Sequence, residues 1–404
     1  MHILHTSDWH LGKSLNSQSL IEDQRHFLNQ LKKILEKAES EGNGFRALII
    51  SGDIYDRSIP SSEAVLLLDS FLSEICASLK NLHIFLISGN HDSATRLSFG
   101  TSFFEKENIH ICCNTQSIES PVIIEDNKEA LCVYQIPYLY PGSLSDSTNK
   151  EEQKQILKTQ QELFNEATKR IFNSHQQKHG DKLCLVNAHL FASGAKDGDI
   201  DYERIGNSEV VDASIFDKFD YTALGHIHAF QKINEKGNCF YSGSPLAYAF
   251  DEQSKKYFLD VELKKNLKPD VKKIPVNPLH KVTKLIKPWS ALFGSESDRE
   301  LIEKCRNDYI QVICTDKINI SSPLEILRGI FPNMLSFKII EREGNNSENS
   351  SPAKRKLLDC TTVNKAELAF DEFMKEIHSG EIFDQQMLQK EKELFMEIAT
   401  KIQW

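Results

Sequence analysis

The sequence has no apolar run approaching the ~18 residues that a membrane-crossing helix needs. Its opening, MHILHTSDWH, is not the basic stretch, apolar stretch and small-residue site of a secretory leader. Nine cysteines are scattered without a C-x-x-C pair. An odd number lacking framework spacing argues for reduced thiols rather than disulfide staples, and neither Cys112 nor Cys113 reads as a metal ligand. A cytoplasmic chain is expected. Also missing is the first glycine of a phosphate-binding P-loop: Gly12, Lys13 and Ser14 spell the end of that motif, but Ser7 stands where the glycine belongs. ATP binding by this chain is therefore set aside. No internal repeat or long low-complexity tract is present.

What remains is an ordinary globular composition, 404 residues with 40% hydrophobic and 26% charged. That length exceeds what one hydrophobic core serves and implies two domains plus an appendage. The net charge of −10 disfavours a polyanionic partner at first sight, because phosphate binding draws on Lys and Arg. The charge is unevenly placed, however. Residues 357–404 hold ten acidic and five basic side chains, whereas residues 264–287 hold eight lysines against one aspartate. Bound cations would also make a metal-lined cleft more positive than the formal count.

Over residues 1–92, β-type runs (MHILHTSD, FRALIISGD, HIFLISGNHD) alternate with helix-period stretches, which predicts a parallel sheet covered by helices. Ligands in such sheets bind beyond the strand C-termini, where Asp8, Asp53 and Asn90 fall. Shorter strands are expected at 121–137, a charged helix from about 148 to 174, and strands in KLCLVNAHLF and YTALGHIH that end in histidines. With NCFYSGSP, KKYFLDVEL and VKKIPV as further strands, the first domain spans 1–277. Residues 278–343 read as a small α/β unit of strand, helix, strand, helix and strand. Residues 344–356 are a polar linker. Residues 357–404 carry helical spacing around a break at Ser379 and Gly380, which predicts a helix-loop-helix. The fold class is α/β.

Five separated segments carry the chemistry: Asp8 to His10, Asp53, Asn90 to His91, His189, and Gly225 to His228. A two-metal site that activates water on phosphate esters needs roughly seven ligands of carboxylate, amide oxygen and neutral imidazole type, one carboxylate bridging. Asp8 and His10, two apart at a strand end, point the same way, and His226 and His228 repeat that spacing. Asp53 and Asn90 each follow a glycine suited to a tight turn. Any one of these short motifs is common on surfaces; their joint occurrence at five strand ends is what points to a site.

The order D-x-H, G-D, G-N-H-D, H, G-H-x-H is similar to the signature of the calcineurin-like metallophosphoesterases. The contexts DWHLGKSL, SGDIYDRSIPSSEA, GNHDSATRL, YTALGHIHAFQ and YSGSPLAYAFDE resemble that family's branch of DNA nuclease subunits, over residues 1 to about 265 and more loosely beyond. The resemblance implies a β-sandwich flanked by helices, with a small α/β capping domain. It implies that Asp8, His10, Asp53 and His228 hold one ion and that Asp53, Asn90, His189 and His226 hold the other, with Mn2+ the usual metal. His91 becomes the catalytic, non-ligand histidine, a role its adjacency to Asn90 suits. The activity implied is double-strand 3′–5′ exonuclease and single-strand or hairpin endonuclease, in DNA repair, recombination and replication. The implied partners are DNA ends and hairpins, an SbcC-like coiled-coil ATPase gripped by the C-terminal helices, and a second copy of the chain within a heterotetramer.

The site also suits a phosphoesterase for nucleotides or phosphoproteins, or a binding scaffold that lost activity, although every ligand position is filled. His5, His83, His110 and His280 lack partnered motifs and read as core or surface residues. The lysines of 264–287 read as solvated surface. Asp56, Arg57 and Arg96 flank the motifs as loop braces or phosphate contacts. The tail helices pack on their own domain or on a partner helix.

Overall fold

Apolar runs too short for helices become strands, and in the computed structural model of the chain those strands build two six-stranded sheets facing each other. The structure describes residues 1–126, 129–144, 156–195, 210–252, 254–293, 297–316, 320 and 322–340. The main elements are β1 (His2–Thr6), α1 (Ile21–Ser40), β2 (Ala47–Ile50), α2 (Ser62–Ser78), β3 (His83–Ile87), β4 (Ile109–Cys112), β5 (Val122–Asp126), β6 (Glu129–Ile136), α3 (Gln160–His179), β7 (Leu183–His189), β8 (Tyr221–Gly225), β9 (Gln231–Lys232), β10 (Cys239–Tyr241), β11 (Tyr257–Glu262) and β12 (Asp270–Pro275). The first sheet has the order β12-β11-β1-β2-β3-β4 and the second β9-β10-β8-β7-β6-β5. β1 to β4 are mutually parallel, as are β6, β7, β8 and β10.

Period-two alternation assigns each strand residue a layer. Ile3, Ile49, Phe85, Val133, Leu185, Ala223 and Leu259 fill the space between the sheets. Leu4, Leu48, Ile50, Ile84 and Leu86 face the other way, under Phe27, Leu31 and Leu35 of α1 and Leu68, Phe71 and Ile75 of α2. Tyr134, Ile136, Cys184 and Val186 do the same for the second sheet, under Leu163, Phe164 and Ile171 of α3. Each Val, Leu, Ile or Phe among them contributes about 1.5–3 kcal/mol by leaving water. A one-residue register slip would turn a whole strand's set to the wrong layer, so the packing fixes where each strand ends.

The expected helix at about 148–174 begins later. It spans Gln160–His179 because Thr159 and Glu162 close a capping box: Thr159 Oγ1 accepts from the Glu162 N–H at 3.2 Å and Glu162 Oε2 from the Thr159 N–H at 3.1 Å. Residues 145–155 lie outside the described set.

Beyond β12 the chain forms a parallel three-stranded sheet, β13 (Val282–Lys287), β14 (Tyr309–Cys314) and β15 (Met334–Ile339), with helices α4 (Arg299–Cys305) and α5 (Pro323–Ile330). Leu285, Leu292, Val312, Leu327 and Phe331 give it a core of its own. Tyr309 Oη donates to Asp23 of α1 at 2.9 Å, and the His280 N–H does so at 3.0 Å. Met1–Ile340 is one compact unit. The expected linker at 344–356 and helix-loop-helix at 357–404 lie outside the described residues. No helix among the described residues is long and apolar enough to cross a membrane.

Candidate metal centre

The C-termini of β1, β2, β3, β7 and β8 deliver Asp8, His10, Asp53, Asn90, His91, His189, His226 and His228 to one place. Four of these residues leave their strands with a left-handed backbone: Asp8 (φ 53°), His10 (φ 43°), Asp53 (φ 49°) and His226 (φ 106°). Such conformations cost about 1–3 kcal/mol each and persist only where the surroundings hold them. Here they are held by one another. The Asp8 N–H donates to the Gly52 carbonyl (3.1 Å), the His10 N–H to the Asp53 carbonyl (2.9 Å), the His226 N–H to Asp8 Oδ1 (2.9 Å) and the His91 N–H to Asp53 Oδ1 (3.0 Å).

The side chains converge in two linked groups. Donor atoms of Asp8, His10 and His228 lie within 4.8 Å of one another, as do those of Asp8, Asp53 and His189. Asp53 Oδ2 stands 3.6 Å from His10 Nε2 and 3.4 Å from His189 Nε2. Asn90 Oδ1 lies 3.0 Å from His189 Nε2 and 3.1 Å from His226 Nδ1. A third grouping of His10, Asp56 and His91 is poorer, because Asp56 Oδ1 is already taken by Lys13 Nζ at 2.6 Å.

Burial and mutual charge set the protonation. Burial pushes the Asp8 carboxyl up to about 6, against the pull of His189 and His228. Burial would raise Asp53 too, but His189 and His10 hold it well below the usual carboxylate range. Conversely, burial would lower His189, and the Asp53 carboxylate beside it reverses this and lifts it to about 9. Burial takes His226 down to about 3 and His10 well below its ordinary value. Two buried carboxylates among imidazoles without a full complement of hydrogen bonds form an arrangement that a cation completes.

His10 Nδ1 is buried and has no hydrogen-bond partner among the described residues. His10 Nε2 and His228 Nε2 face each other at 3.1 Å. A proton on Nδ1 of each ring leaves both Nε2 lone pairs for one cation. His189 Nδ1 donates to the Ser51 carbonyl at 2.8 Å, which turns its Nε2 lone pair inward once the ring is neutral. The donor set of carboxylate, amide oxygen and imidazole therefore fits hard divalent cations.

Sequence reasoning missed the residues that hold the candidate ligands in place. Asp92, in the GNHD segment, accepts from the Ile54 and Gly89 N–H groups through Oδ2 (3.0 and 2.9 Å) and from the Tyr55 N–H through Oδ1 (2.9 Å), tying the Asp53 loop to the Asn90 loop. Gln24 of α1 donates to the His10 carbonyl at 2.7 Å, with no local motif to announce it. Glu252, in the YSGSPLAYAFDE segment, meets His228 Nδ1 at 2.9 Å. The two glycines differ in what they supply. Gly52 does turn at φ +84°, but Gly89 is required for space, since a Cβ there would lie 2.1 Å from Asp53 Oδ1. The histidines without partnered motifs are accounted for: His5 sits between Tyr221 Oη (3.0 Å) and Ser51 Oγ (3.1 Å), His83 pairs with His110, and His280 with Asp23. Lys13 of the incomplete P-loop is the partner of Asp56, with a short hairpin after it rather than a helix.

Comparison with known proteins agrees with this geometry. The calcineurin-like phosphoesterase family matches residues 1–230. The SbcD component of the nuclease SbcCD from Staphylococcus epidermidis is 33% identical over 393 residues, covering 95% of this chain and 97% of that protein.

Proposed function

Because the chain belongs to the calcineurin-like phosphoesterases, we propose that its convergent carboxylates and imidazoles hold two divalent cations and hydrolyse DNA phosphodiester bonds. The chain is a hydrolase of the nuclease type, akin to the staphylococcal SbcD along nearly its whole length. The observation that carries the two-metal reading is the Asp53 carboxylate, shared between His10 at 3.6 Å and His189 at 3.4 Å.

In this reading Asp8, His10, Asp53 and His228 hold one cation, and Asp53, Asn90, His189 and His226 the other. Divalent cations bound there would supply Lewis acidity, lowering the pKa of water so that hydroxide is available near neutral pH and offsetting charge on the phosphate oxygens. The protein's own contribution is orientation. The backbone N–H of His91 fixes Asp53, while its exposed ring, tied by Nδ1 to the Asp56 carbonyl at 2.9 Å, keeps Nε2 for substrate. From there it stabilises the transition state or protonates the leaving oxygen.

The finer reading follows the resemblance. The metal is Mn2+, and the chain acts as a double-strand 3′–5′ exonuclease and a single-strand or hairpin endonuclease. It works in the cytoplasm as a homodimer within a heterotetramer, with an SbcC-like ATPase docked on residues 357–404. The domains are 1–277 for the nuclease, 278–343 for a capping unit and 344–356 for the linker.

The test is cleavage of linear duplex DNA, hairpin DNA and a small phosphodiester by the purified chain with Mn2+, with and without the coiled-coil ATPase. Mn2+-dependent DNA cutting that chelation abolishes is expected. No DNA cleavage under any condition, with brisk hydrolysis of the small ester, would leave the small-substrate phosphoesterase in its place.

A further inference from the structure

We infer that Glu252 is a positioning residue for the metal centre, its carboxylate fixing the tautomer and orientation of His228 while Lys256 fixes the carboxylate. This rests on the reading of His228 as a metal ligand. His228 Nδ1 lies 2.9 Å from Glu252 Oε1. An ionised carboxylate only accepts, so the imidazole proton sits on Nδ1 and the lone pair is left on Nε2. That nitrogen is the one facing His10 Nε2 at 3.1 Å, inside the cluster.

The other oxygen of Glu252 takes Lys256 Nζ at 2.6 Å. The same ammonium donates to the His228 carbonyl and to Ser244 Oγ, both at 2.9 Å. The His228 ring, Glu252, Lys256 and the His228 backbone thus close a loop, in which neither charged side chain can shift without moving the imidazole. Exposed ion pairs of this length contribute little. This one is not exposed, with side chains only 9% and 14% accessible for Lys256 and Glu252. A negative partner also makes the ligand nitrogen more basic. Ser51 gives His189 a neutral acceptor; Glu252 gives His228 a charged one.

The test uses the full chain. Glu252→Ala is expected to weaken Mn2+ binding on the order of 10–100-fold by calorimetric titration. Glu252→Gln is expected to weaken it less, because the amide oxygen still accepts from Nδ1–H. In the metal-free protein at alkaline pH, 1H–15N NMR of the His228 ring reads the tautomer: Nδ1–H in the wild type, shifting to Nε2–H in Glu252→Ala. Persistence of Nδ1–H in that variant, or an affinity within about twofold of wild type, overturns the inference. If the alanine variant does not fold, the glutamine variant decides it: lower affinity at an unchanged metal-free melting temperature supports the role, and unchanged affinity removes it. Should wild type bind no Mn2+, the metal-site reading fails, while the tautomer measurement still decides what Glu252 does.

Discussion

His189 Nδ1 donates to the carbonyl oxygen of Ser51 at 2.8 Å, so a ring carried by the second sheet is oriented by the backbone of the first. The two sheets are thereby tied at the point where their candidate metal-binding side chains meet. Gly225 makes room for this, since a Cβ there would stand 1.8 Å from the Ser51 carbonyl and 2.9 Å from His189 Nδ1.

Gly225→Ala should therefore push the sheets apart at the site. We expect a loss of about 3 kcal/mol in folding stability from overpacking against backbone, with loss of Mn2+ binding. Denaturant melts and metal titration measure both. Gly329→Ala, where nothing lies within 4 Å of the added carbon, is the control and should leave metal binding unchanged.

The pairing of His189 with Asp53 makes metal uptake depend on pH. With its pKa raised to about 9 by the Asp53 carboxylate over the opposing effect of burial, His189 carries a proton at pH 7 that an incoming cation displaces. Mn2+ affinity should rise from pH 7 toward 9 and level off above it, with proton release visible in buffers of different ionisation enthalpy. The metal-free fold responds in the opposite sense. A histidine whose folded pKa exceeds its ordinary 6.5 adds stability that is full below 6.5 and lost as pH rises through about 9.

His91→Ala removes a ring but keeps the backbone N–H that holds Asp53. Cleavage should fall by about 10²–10⁴-fold, the usual worth of a general acid or base. Bound metal, counted by elemental analysis, should be unchanged. Loss of metal together with activity would make His91 a ligand instead.

Asp92→Ala leaves the buried backbone N–H groups of Ile54 and Gly89 and the half-buried one of Tyr55 without their acceptor. A loss of about 3 kcal/mol is expected in denaturant melts, together with weaker metal binding as the Asp53 and Asn90 loops separate.

By itself the sequence determined which strands form and which residue types stand at their ends, because short apolar runs and strand-end motifs are local signals. Asp8, His10, Asp53, Asn90, His91, His189, His226 and His228 all follow from that order, and the structure brings them together. Helical spacing alone starts α3 too early, because amphipathic periodicity is weak evidence beside a capping box. What only the tertiary structure decided is how these side chains are held. Gln24, Glu252 and the Ser51 carbonyl act on residues 14, 24 and 138 positions away, and those distances are spanned by packing two sheets and a helix, which no spacing along the chain records.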